Sequence, residues 1–102
     1  MSVVTTILIA TSAGERGGVS FIEAALGTPR GWWWLEEVGR HAGGDKVAEA
    51  DVYMGAINHL DLDQFKAHMR AAPWEMPEAV MLLVNEDGED GFQVEEWRLA
   101  GA

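Results

Sequence analysis

The sequence predicts an α+β fold. Short β-branched or alternating stretches recur along the chain, as strands require. Two other stretches carry helix-start signals, one of them followed by apolar residues at helical spacing. Glycine, proline and acidic turns separate these segments. The chain has 102 residues, the size of one domain, so residues 1–102 are read as a single α+β unit.

Residues 3–11 contain Val3, Val4, Ile7, Leu8 and Ile9, a nearly continuous apolar run that suits a central strand. Residues 12–18 follow as a loop with Gly14, Gly17 and Gly18. Ser20 and Glu23 fit a capping box, which predicts a helix over 21–26 ending at Gly27. After a turn at 28–31, tryptophan and valine favour a strand over 32–38. The turn at 39–45 leads into residues 47–57, where polarity alternates. Ala48, Ala50, Val52, Met54 and Ala56 share one side, while Glu49, Asp51 and Tyr53 share the other, read as outward. Asp61 with Gln64 is a second cap signature. Leu62, Phe65, Met69 and Ala72 then recur at helical spacing, so a helix over 62–72 should stop before Pro73. Strands over 79–84 and 92–99 flank a turn at 85–91.

This order matches the split βαβ pattern of a ferredoxin-like βαββαβ two-layer sandwich with an extra C-terminal strand and a mostly antiparallel sheet. Right-handed crossovers would place both helices on one sheet face. The other face then needs solvent, a ligand or a second subunit.

Composition excludes several functions. The formal net charge is −10, which argues against nucleic acid and anionic membrane as partners, since both reward clustered Lys and Arg. No cysteine is present, so disulfides, thiolate metal sites and thiol nucleophiles are excluded. No basic residue precedes the first apolar run, and no stretch nears the ~20 apolar residues of a membrane span. A cytoplasmic protein is the expectation.

Each chemical candidate has a plain structural reading. Gly14 to Gly18 lies between strand and helix, where phosphate cradles occur, but neither the Walker nor the dinucleotide spacing is present. His59, Asp61 and Asp63 lie close together, yet Asp61 and Asp63 already suit a helix start. Asn85, Asp87, Glu89 and Glu96 resemble a calcium loop only in part, because Asp90 stands where glycine is required. No metal and no cofactor is therefore expected. Glu86, Asp87, Glu89, Asp90, Glu95 and Glu96 form an acidic patch on the last hairpin. Trp32-Trp33-Trp34 is the least ordinary feature, readable as core, subunit interface or pocket wall, and Trp74 and Trp97 could join it. His41 and His68 read as surface or satisfied positions, and His59 and Tyr53 are the candidate catalytic groups.

The stretch GGDKVAEADVYMGAINHLD over 43–61, with Phe65 and Ala72-Pro73-Trp74, resembles a recurrent segment of small uncharacterised proteins from high-GC bacteria. That resemblance covers about a third of the chain and implies no activity. More loosely, the element order is similar to the dimeric α+β barrel superfamily. That likeness implies two sheets paired around a cavity and, in many members, cofactor-free enzymes.

The favoured expectation is a small self-associating or protein-binding module, a homodimer in contact through Trp32, Trp34 and Tyr53. Two alternatives stay open. The acidic hairpin could inhibit a basic protein. Two paired sheets could instead enclose a small-molecule site, with His59 or Tyr53 as its polar group.

Overall fold

The computed structural model describes residues 4–25, 35–46, 49–86, 91 and 93–95. These form an α+β fold, as expected. Strands β1 (Val4–Ser12), β2 (Glu36–Glu37), β3 (Ala50–Asn58), β4 (Met81–Glu86) and β5 (Gln93–Glu95) make one sheet in the order β2-β3-β1-β4-β5. Every neighbouring pair is antiparallel. Strands β1 and β2 thus run in the same direction with β3 between them.

Helices α1 (Arg16–Ala25) and α2 (Leu62–Ala71) cover one sheet face. Register identifies that face. Tyr53, Ile9 and Leu82 lie side by side across three strands, and Ile7 pairs with Val84 in the next row. These residues join Val19 and Ile22 of α1 and Phe65 and Met69 of α2 in one core. Phe65 and Met69 are 0% exposed, each contributing about 1.5–3 kcal/mol of burial.

Helix α2 begins as its cap predicts: the Asp61 carboxylate accepts the Gln64 N–H at 3.1 Å. Helix α1 departs from expectation. It begins at Arg16, so Gly17 and Gly18 are helical and Ser20 lies inside the helix rather than capping it. The turn before it uses Gly14 at φ +89°, a conformation open to glycine. Gly18 is needed for another reason. The Trp74 indole lies against the helix backbone there, and a Cβ would sit 2.3 Å from the ring. Trp74, 8% exposed, donates its indole N–H to the Met69 carbonyl at 2.8 Å and so belongs to the core.

The fourth strand starts later than predicted, because Pro77–Ala79 forms a 3₁₀ turn before it. The expected strand over 32–38 is described only from residue 35, and its paired part is Glu36–Glu37. Trp32, Trp33, Trp34 and Trp97 lie outside the described residues.

Candidate interaction surface

Strand alternation aims one set of side chains away from both helices. The register places Met54, Leu8 and Leu83 in one row across β3, β1 and β4. Val52, Ala10 and Met81 form the next row, and Ala56, Thr6 and Asn85 the row beyond. Val4 and Asn58 pair at one end of the face, Ser12 and Ala50 at the other. Neither helix packs on these residues, whose burial is intermediate or low. Val4 and Met81 are the two large apolar side chains most open here, at 39% and 48% exposure. Among the described residues of this face the charged side chain is Glu36, at the β2 edge beside Met54.

This corrects the expected facing of β3. Tyr53 is 2% exposed and lies under α1, so it is not an outward contact residue. The reason is packing. Tyr53 and Ile57 supply more apolar bulk than the alanines beside Val52 and Met54, so the Tyr side faces the helices. Asp51, on that same side, lies where the strand begins, and its carboxylate accepts the Gly14 N–H at 3.0 Å.

A polar group surrounds Tyr53 on the covered face. The Arg16 guanidinium lies 5.6 Å from the Tyr53 ring centroid, a cation–π distance. Arg16 also pairs with the Glu23 carboxylate at 2.9 Å. The other Glu23 oxygen accepts the Leu35 N–H at 2.8 Å, tying α1 to the entry of β2. Burial above all, and then the Asp51 carboxylate, push the Tyr53 phenol above its ordinary value, while Arg16 opposes them. This cluster holds an element junction together.

The remaining expected residues are dispersed. His59 is exposed, with φ 60° at the corner between β3 and α2. Five strand residues, 54–58, lie between it and Tyr53, six steps or about 20 Å, so the two candidate catalytic groups do not converge. His41 is exposed, and His68 keeps a buried Nε2 that has no hydrogen-bond partner among the described residues. Of the acidic patch, Glu86 is exposed at the end of β4, and Glu95 falls on β5. Asp87, Glu89, Asp90 and Glu96 lie outside the described residues. Among the described residues no group of His, Asp and Glu could hold a metal ion. No helix among them is long and apolar enough to cross a membrane.

Comparison of the chain with protein-family models, with curated proteins and with solved structures yields no match.

Two carboxylates that motif reading overlooks hold distant backbone. Glu15, 2% exposed, accepts the N–H groups of Glu75 at 3.0 Å and Met76 at 2.8 Å. Glu37 accepts those of Gly39 at 2.9 Å and Val52 at 3.1 Å. Their partners are backbone atoms, which carry no sequence signature. The sheet face away from the two helices does have one: the apolar alternation of Val52 and Met54 is visible in the sequence, and only its direction is ambiguous there.

Proposed function

We propose that this chain is a small association module that pairs with a second copy of itself through the open face of its sheet. The framework is read as ferredoxin-like, with β5 added at one edge. Supporting this are the β2-β3-β1-β4 order, the parallel β1 and β2 separated by β3, and both helices on one side.

The observation that carries the functional reading is charge zoning. The chain has a formal net charge of −10, yet the outward row Met54, Leu8 and Leu83 is apolar and bordered by Glu36 alone among the described charged residues. Two copies can meet over that row with Glu36 at its β2 border, and an apolar patch is self-complementary under two-fold symmetry. Among the described residues, a basic partner would find Glu36 alone as counter-charge on this face. Strands about 4.8 Å apart with about 3.3 Å of rise per residue give the strand residues of this face roughly 460 Å². That is about half of the ~800 Å² that each partner of a standard interface buries, the size of a weak contact.

Sedimentation equilibrium tests the pairing. Wild type should be dimeric, Leu8→Asp monomeric, and Ala24→Asp on the exposed side of α1 still dimeric. A wild-type chain that stays monomeric at high concentration overturns the proposal.

A further inference from the structure

We propose that the open sheet face is an oxidation-sensitive switch, in which the thioethers of Met54 and Met81 set whether two copies can pair. This rests on the pairing reading above and adds its regulation. The chain has no cysteine, so its five methionines hold all its sulfur. The described methionines divide sharply by position. Met69 is 0% exposed in the core. Met76 is 45% exposed but lies in the segment between α2 and the 3₁₀ turn, off the sheet. Met54 sits in the central outward row beside Leu8, and Met81 sits in the adjacent row beside Ala10, 48% exposed.

A peroxide supplies the chemistry. The thioether sulfur attacks one peroxide oxygen, the S–O bond forms as the O–O bond breaks, and water leaves after proton transfer. Methionine loses two electrons to the peroxide and becomes the sulfoxide. The product carries a strong hydrogen-bond acceptor within rows of apolar side chains, Met54 beside Leu8 and Met81 beside Ala10, so pairing must strip water from a polar group there. Pairing should weaken by about tenfold or more for each sulfoxide at the contact. The linkage runs both ways. Paired faces bury both thioethers, so oxidation proceeds through the separated chain and should slow as protein concentration rises.

The test treats wild type, Met54→Leu/Met81→Leu and Met76→Leu with hydrogen peroxide. Peptide mass spectrometry locates the sulfoxides, sedimentation velocity reads the oligomer, and circular dichroism checks the fold. Wild type and Met76→Leu should dissociate while folded, and recover after methionine sulfoxide reductase. The double variant should pair before and after peroxide. Wild type that still pairs with sulfoxide at both Met54 and Met81 overturns the switch but leaves the pairing intact. The switch is likewise overturned, and the pairing kept, if the double variant dissociates equally, if neither thioether oxidises, or if oxidation unfolds the chain. Untreated wild type that never pairs overturns the pairing reading and the switch together.

Discussion

Gly18 and Trp74 meet face to face: the indole occupies the space that a side chain at Gly18 would need, with ring carbons 2.3 to 2.8 Å from an ideal Cβ. The contact joins α1 to the segment after α2 and explains a glycine in the first turn of a helix. Gly18→Ala should therefore destabilise by about 1–3 kcal/mol through overpacking, despite the better helix propensity of alanine. Gly17 has nothing within 4 Å of its ideal Cβ. Gly17→Ala should stabilise by about 0.5–1 kcal/mol. Urea midpoints for the two variants, moving in opposite directions, check the pair of expectations.

The Glu15 carboxylate pins the same segment by accepting the N–H groups of Glu75 and Met76. Glu15→Ala leaves both donors without their acceptor and should cost about 2–3 kcal/mol. Glu15→Gln keeps one oxygen and should lose less. Denaturant unfolding with an unchanged slope would show that the loss lies in the native state.

Legibility in the sequence varies by element. Asp61 and Gln64 mark the start of α2 because a side-chain cap is local, lying within one turn of its target. Arg16 is a poor marker for α1, because Gly17 and Gly18 read as loop until Trp74, far along the chain, is placed against them. Tyr53 reads as outward because β3 has apolar residues on both sides, and one residue of slip reverses every side chain. A sheet face that neither helix covers is therefore legible in kind, while the side of β3 that forms it is not. Trp32 and Trp34, assigned to the same contact, lie outside the described residues.

Tyr53 predicts a pH dependence. Its phenol is harder to ionise in the folded chain than at the ordinary value of 10.0, first because of burial and then because of Asp51. A group whose folded value is raised supports the fold fully below its unfolded value, and that support is lost as pH climbs through the folded one. Stability should thus fall on the alkaline side, above about pH 10, and Tyr53→Phe should flatten that decline. The chain has one tyrosine, so tyrosinate absorbance follows this residue directly.

Ionic strength separates the two kinds of partner. Self-pairing of a chain with net charge −10 through a neutral face should tighten a few-fold as salt rises to about 0.15 M, because screening weakens repulsion between the two bodies. Binding of a basic protein would weaken over the same range. Light scattering across a salt series reads the direction.

His59 adopts φ 60° without being glycine. His59→Gly should relieve that strain and change stability by less than about 1 kcal/mol, while His59→Val should cost about 1–2 kcal/mol. Thermal unfolding of the two variants checks the ordering.

Val52 has its sideways-facing amide groups engaged: its N–H donates to the Glu37 carboxylate and its carbonyl accepts from Val38. At that point the margin of the sheet offers no vacant rung on which a foreign strand could zip. Growth into fibrils by strand addition is thus obstructed at the very position where β2 runs out.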